Sequence, residues 1–393
     1  MGFLKRTQTD ELFRREQFPC LQNDRIFLAH AAVTAVPKLV TDTMNEFNRA
    51  ASTGEVDYTD LLINQMDAAR ETCAKIIHAK PNEIALLGPT SLGLSLVANG
   101  LNFKEGDEII CYLDDYPANV YPWKNLEKLH GTKTIFLKPE EPGTITPELV
   151  EAALTERTRL VALASCHFLT GYRIDFDAIG QLIHEKSEAL FCLDAIQTVG
   201  AFPTTVEHVD FLSADSHKWM LGPMTAGIFY VAEEHFDKLR PSLLGAWNVQ
   251  SPNFIAQDAV DFESGCRRYE PGVLNAQGIL GMDAAIRLLD QEIGIDVVSK
   301  RLLEVKTHFV NELTERGFEI ANVTEGPNAS AITAFTSSDP LKLTELYQNL
   351  LNRDVVASFR HDRENIPFVR FSPHFYNHEE DAARVFEIID SIA

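Results

Sequence analysis

Two residues of opposite charge stand out in the middle of the chain: Asp194, in CLDAIQTVG, and Lys218, in SADSHKWMLGP. Asp194 ends an apolar, strand-like run, where a carboxylate is costly unless it is paired or hydrogen-bonded. It suits a counter-ion for a buried cation such as a protonated pyridine nitrogen; its plainer role is a turn or helix cap. Lys218 is hemmed by Leu212 on one side and by Trp219, Met220 and Leu221 on the other. Desolvation lowers the pKa of an amine, and a neutral lysine is a nucleophile toward an aldehyde; the plainer role is a solvated loop lysine. One short connection and one strand separate the two, which places both at the same sheet edge. Thr90 and Ser91, in GPTSLG, open a helix-like stretch with Thr90 as the expected N-cap. Free N–H groups and the helix dipole bind phosphate at such a start, although a plain cap serves equally well. Tyr116, in LDDYPANVYPW, is a loop aromatic able to stack on a flat ligand. Together these residues suit a flat, phosphorylated aldehyde with a basic ring nitrogen.

The elements that must position them alternate. RLVALASCHF (159–168) and ALFCLDAIQ (189–197) read as buried strands, with FDAIGQLIHEKSE (176–188) as a helix between them. VDFLSADSHKW (209–219) and AGIFYVA (226–232) follow. Alternation of this kind implies βαβ units, a mostly parallel sheet, and loop residues gathered at the strands' carboxyl ends. Earlier, helices are expected over 59–79, with Arg70 inside, and from Thr90 through LGLSLVANGL. After about residue 265 the texture changes to helices at 276–293 and 295–316, short strands in ITAFTS and FVRFSP, and a final helix from 378. The expected division is a large ligand-binding domain over 20–262 and a smaller α+β domain built from 1–19 and 263–393.

The 393 residues include 57 acidic and 35 basic side chains, a formal net charge of −22. That balance argues against nucleic acid and against an anionic membrane surface, since both need clustered Lys and Arg. Six cysteines are scattered without a CxxC pair, so no metal site is expected. Few cysteines in a long chain suit a reducing cytosol. The segment MGFLKRTQTDELFRREQF is too charged for a signal peptide, and no apolar run approaches the roughly 20 residues of a membrane span. The expected location is cytoplasmic. GxGxxG and GxxxxGK[ST] are both missing, which counts against a nucleotide-binding protein.

In order and spacing, DAIQTVG and ADSHKWMLGP, with LAHAAVTAVP, GPTSLGLSLVANGL, RRYEPGVLN and VRFSPHFYNHEED, resemble the class V aminotransferase family of fold-type I pyridoxal-phosphate enzymes. That family includes cysteine desulfurases, kynureninases and isopenicillin-N-epimerase-like proteins. The resemblance spans about residues 26–390. It implies pyridoxal 5'-phosphate as cofactor, with Lys218 as its Schiff-base lysine and Asp194 as partner of the pyridine nitrogen. Gln197 would bond the phenolic oxygen. Thr90, Ser91 and His217 would hold the phosphate, and Tyr116 would stack on the ring. Arg370 would bind the substrate α-carboxylate, a role that suits a bidentate guanidinium fork. His30 and Ala31 would line the substrate pocket, and His167 lies near a strand end that touches the cofactor oxygen in relatives. Trp247 resembles a kynureninase tryptophan that reaches the neighbouring subunit's phosphate, and Arg268–Glu270 matches a structural pair. A homodimer is implied, because both chains build each pocket in this fold type.

Three positions depart from the pattern. Val273 replaces a threonine that reaches across the dimer. Asp215 stands where desulfurases carry a small hydroxyl residue near the phosphate, and it is tolerable there only if it points away or binds His217. The loop SFRHDRENIPF before Arg370 contains no cysteine, which argues against a desulfurase that takes sulfur up as an enzyme persulfide. The expected activity is transamination or C–S lysis by β-elimination on a small or sulfur-containing amino acid. Epimerisation and a cofactor-binding protein without turnover are the alternatives.

Overall fold

The computed structural model describes residues 2–391. A seven-stranded sheet forms its centre, in the spatial order Ile84–Leu86, Gly227–Val231, Phe211–Asp215, Leu190–Asp194, Thr158–Ala164, Glu108–Tyr112 and Lys133–Leu137. Only Gly227–Val231 runs against the rest. The sheet is thus mostly parallel, as the alternation predicts. Its central strands are buried on both faces, which is why LFCLD and GIFYV read as continuous apolar runs rather than as alternating ones.

Helix Phe176–Lys186 crosses between two of these strands. Asp175 caps it by accepting from the Ala178 N–H, and His184 and Lys186 in the last turn complement the dipole. Helix Thr90–Gly100 lies close on the sheet, because a Cβ on Gly93 would collide with the Ser213 side chain. Its N-cap is Pro89 rather than Thr90, and no side chain caps it. The expected helix over 59–79 runs over Tyr58–Ile76, with a π-helical stretch at Leu61–Gln65.

Ser358–His361, Pro367–Phe371, Thr333–Thr336 and Glu319–Ile320 form a second, antiparallel sheet. Helices Ile295–Glu315, Pro340–Asn352 and Glu379–Asp390 share a core with it through Phe309, Leu346, Val369 and Phe386. Two segments cross the division drawn from the sequence. Helix Ala276–Arg287 buries Ile279, Met282 and Ile286 in the core of the large sheet, so the boundary at 262/263 falls inside that layer. Ile26–Phe27 pairs in parallel with Val355–Val356, and Ile26 and Leu28 lie in the smaller core. Among the described residues no helix is long and apolar enough to cross a membrane.

Candidate active site

The loops that leave the carboxyl ends of five parallel strands converge on one sheet edge: 87–91, 113–116, 165–168, 195–197 and 216–218. This is where a doubly wound sheet opens a crevice. The crevice is a cavity of about 320 Å³ lined by Ala31, Thr90, Ser91, Tyr116, Asp194, His217, Lys218 and Arg370, all expected from the sequence. Phe168, Ile196 and Arg360 also line it.

Asp194 terminates its strand and is buried. One oxygen accepts from the Ile196 N–H at 3.1 Å. Burial raises its pKa, and Lys218 and that N–H oppose the rise. Lys218 is 7 % exposed. Burial pushes its amine down to about 8, against the pull of Asp194 and with the help of the Arg370 and Arg360 charges. Its Nζ stands 5.5 Å from the centre of the Tyr116 ring, within reach of the π face. The ring is half exposed and packs edge-on against Phe168 at 5.7 Å.

At the start of helix Thr90–Gly100, the Thr90 hydroxyl accepts from the Asp215 N–H at 2.8 Å, which ties the helix start to the adjacent strand end. Asp215 is turned to His217, whose Nδ1 lies 2.9 Å from its Oδ2, and it also accepts from the Ser216 and Thr225 N–H groups. The condition set by its unusual identity is therefore met through the His217 contact.

Arg370 is 1 % exposed, and among the described residues no carboxylate pairs with it. Its guanidinium donates to the Phe168 carbonyl and, at 3.4 Å, to the Ser358 hydroxyl, while its buried Nε has no partner. Burial first, and then the charge of Arg360, pushes it down to about 9. Arg360 lies on the neighbouring strand, and among the described residues it has no carboxylate partner and its guanidinium donates to the preceding Phe359 carbonyl. Buried charge without a partner is unfavourable, so Arg370, with the partly buried Arg360 lining the same cavity, marks a place for an anion. Arg360 is not among the residues expected from the sequence. Strand alternation carried the signal, because in SFRH the arginine falls on the same face as Ser358, which touches Arg370.

Gln197, His30, His167 and Asp215 do not line this cavity, and neither does Trp247, which was expected at the neighbouring subunit's phosphate. Both polar ends of Gln197 are engaged: its amide nitrogen donates to the Ala31 carbonyl at 3.2 Å and its oxygen accepts from the Trp219 indole at 2.8 Å. It sits behind the cavity wall. His30 is fully buried between the Ser372 carbonyl and the Tyr376 hydroxyl, so Ala31 alone of that pair reaches the cavity. His167 faces the Asp114 carbonyl and Thr170, and burial pushes its imidazole down to about 4. Trp247 packs on Phe254 in a separate groove that also contains Val273. The partner of Glu270 is Arg70, at 2.7 Å, and not Arg268, which caps the Phe236 and Gly265 carbonyls instead. Sequence adjacency suggested the wrong arginine, because Arg70 arrives from a helix 200 positions away.

The residues present suit pyridoxal phosphate. A buried carboxylate and a desolvated lysine share one cavity, an uncapped helix start opens onto it, and an aromatic ring stands over the amine. Asp194 would meet the ring nitrogen, Lys218 the aldehyde carbon, and Thr90, Ser91 and His217 the phosphate.

The chain is similar to known proteins over nearly its whole length. It is 28% identical over 396 residues to a probable cysteine desulfurase of Methanothermobacter thermautotrophicus, covering 96% of this chain and 97% of the relative. The apo structure of a cysteine desulfurase from Thermococcus onnurineus superposes with a TM-score of 0.88 at 24% identity, covering 96% of both chains. The cystine C–S lyase C-DES, solved with its product cysteine persulfide, superposes with a TM-score of 0.84 at 18% identity, covering 95% of this chain and 99% of that one. Both likenesses show the fold-type I architecture. The family model for aminotransferase class-V matches residues 26–385, and the chain belongs to that family of pyridoxal-phosphate enzymes.

Proposed function

We propose that this enzyme cleaves the C–S bond of cystine or cysteine by β-elimination, without storing sulfur on a cysteine of its own. The observation that carries the reading is a cavity with two unpaired arginines and no thiol. Cystine has two carboxylates, which suits Arg370 and Arg360 together. None of the six cysteines lines the cavity. Burial raises the Cys166 thiol, two positions from Phe168, to about 11, and raises Cys192, two positions from Asp194, and Cys73, Cys111 and Cys266 as well. A protonated thiol is a poor nucleophile toward sulfur.

Pyridoxal phosphate, when bound, supplies an electron sink for negative charge at the substrate α-carbon. Arg370 orients the α-carboxylate, and its pairing relieves an unmatched buried charge. Lys218, whose neutral form burial favours, accepts the α-proton at Nζ. Asp194 holds the positive charge at the ring nitrogen. Phe168 and Tyr116 wall the cavity on the solvent side. Departure of sulfur from Cβ and entry of water then convert cystine to pyruvate, ammonia and cysteine persulfide. From cysteine the third product is sulfide.

A homodimer and a cytosolic setting belong to the same reading. Supporting the first, Trp247 and Val273 share an open groove with Tyr58, Ile63 and Phe254, of which all but Trp247 are largely exposed. Supporting the second, all six thiols are free. Light scattering should give twice the chain mass, and Ile63→Asp with Val273→Asp should halve it.

The experiment for the chemistry is product analysis with holoenzyme. Cystine or cysteine should give pyruvate and ammonia with persulfide or sulfide and no amino acceptor. A strict requirement for a 2-oxo acid would mean transamination and would overturn the reading.

A further inference from the structure

Arg360 and Arg370 belong to one hairpin, with Arg360 on the strand Ser358–His361 and Arg370 on Pro367–Phe371, paired through Ser358 and Arg370. The tip, 362–366, is closed on itself. The Ile366 N–H donates to the Asp362 carboxylate at 2.7 Å, and Asn365 adopts a left-handed φ of +66°. Among the described residues, the hydrogen bonds and ion pairs from this tip to the large domain all come from Arg363. Its guanidinium bonds the Asp114 carboxylate and donates to the Leu113 carbonyl at 2.9 Å.

Asp114 is itself fixed, since its carbonyl meets the His167 Nε2 at 3.0 Å. It lies two positions before Tyr116, whose ring packs on Phe168, and the Phe168 carbonyl accepts from Arg370. The contacts therefore close a ring around the cavity mouth, from hairpin tip to Tyr116 loop to Phe168 and back to the hairpin.

We propose that Arg363 is a positioning residue: its bond to Asp114 latches the arginine hairpin over the cavity and so sets the affinity for the substrate's carboxylates. The latch touches neither cofactor nor substrate, and it rests on reading Arg370 as the carboxylate site. A hairpin that is in place only part of the time lowers apparent affinity by the fraction of molecules in place, while bound substrate still reacts at the normal rate.

The test uses holoenzyme of the parent, Arg363→Ala, Arg363→Lys, Asp114→Asn, the Arg363→Ala/Asp114→Asn double variant and Arg370→Ala. Two readouts are compared: KM and kcat for cystine, and the Kd of glycine, followed by the change it causes in cofactor absorbance. Arg363→Ala should raise both KM and the glycine Kd about three- to fivefold, the size of an exposed ion pair, with kcat within about twofold. Arg363→Lys should recover part of the loss, and the double variant should be no worse than Arg363→Ala. The proposal is overturned if Arg363→Ala leaves KM and the glycine Kd unchanged. It is overturned equally if kcat and thermal stability fall while KM holds, because that marks a structural role. If Arg370→Ala weakens glycine binding and Arg363→Ala does not, the latch alone fails. If Arg370→Ala has no effect, the carboxylate-site reading fails and the latch with it.

Discussion

Asp194 and Lys218 share one cavity, and each side chain draws the other toward its charged form while burial pushes both toward neutrality. Burial is the larger influence on each. The amine is thereby kept reactive, and the carboxylate is held ready for a cation stronger than a half-neutral lysine.

Removing that amine should remove covalent cofactor. Lys218→Ala should bind pyridoxal phosphate without forming a borohydride-reducible imine. The rate of cysteine cleavage should fall by about a hundred- to ten-thousandfold, the range for loss of a positioned acid–base group. Mass spectrometry after reduction checks the first point and a pyruvate assay the second.

The pH dependence follows from the same burial. Free lysine has a pKa of 10.5, and Lys218 lies near 8. The neutral amine is the form that attacks an aldehyde, so imine formation by the apoprotein should accelerate with pH and level off above about 8. Arg360→Gln removes a neighbouring cation, which should move the midpoint upward. Between about 8 and 10.5 the unfolded chain binds more protons at this residue than the folded one, so its contribution to stability increases with pH across that window. Stopped-flow absorbance of the apoprotein mixed with cofactor gives the midpoint.

The two cavity arginines should separate by substrate. Arg370→Gln should raise KM for both cysteine and cystine by roughly 10- to 150-fold, the equivalent of about 1.5–3 kcal/mol for bonds to a charged group. Arg360→Gln should affect cystine, with its second carboxylate, more than cysteine. Steady-state kinetics on the two substrates decide this, and equal effects on both would remove Arg360 from side-chain recognition.

Glu270 should matter to stability rather than to catalysis. It accepts from Arg70 and from the Leu86 N–H, both at 2.7 Å, and Arg70 also donates to the Ile84 carbonyl at 2.6 Å. Breaking one side of a buried pair leaves the other charge unmatched, so Glu270→Gln should cost about 3 kcal/mol. Urea unfolding of the apoprotein reads the loss, while the KM of folded enzyme should stay unchanged.

Much of this site was legible in residues alone. Asp194 and Lys218 sit at ends of apolar strands, and a charged group in such a place demands a chemical reason. The alternating strands and helices bring the loops of Asp194 and Lys218 to one edge, while Thr90, Ser91, Tyr116 and His217 were expected beside them from the family resemblance; all six line one cavity. Composition argues against nucleic acid, since a surplus of carboxylates repels phosphate.

What tertiary structure decided were pairings between distant segments and the direction of side chains whose neighbours come from elsewhere. Glu270 takes its arginine from a helix far earlier in the chain. Gln197 turns to Trp219 and Ala31, and Pro89 stands at the helix cap while Thr90 enters the first turn with its hydroxyl accepting from the Asp215 N–H. Arg360 enters the cavity only because its hairpin folds back beside Arg370, and Arg363 finds Asp114 across some 250 positions. Local sequence fixes which residues are too polar for their apolar surroundings; it carries no information about which partner the folded chain brings within hydrogen-bonding distance.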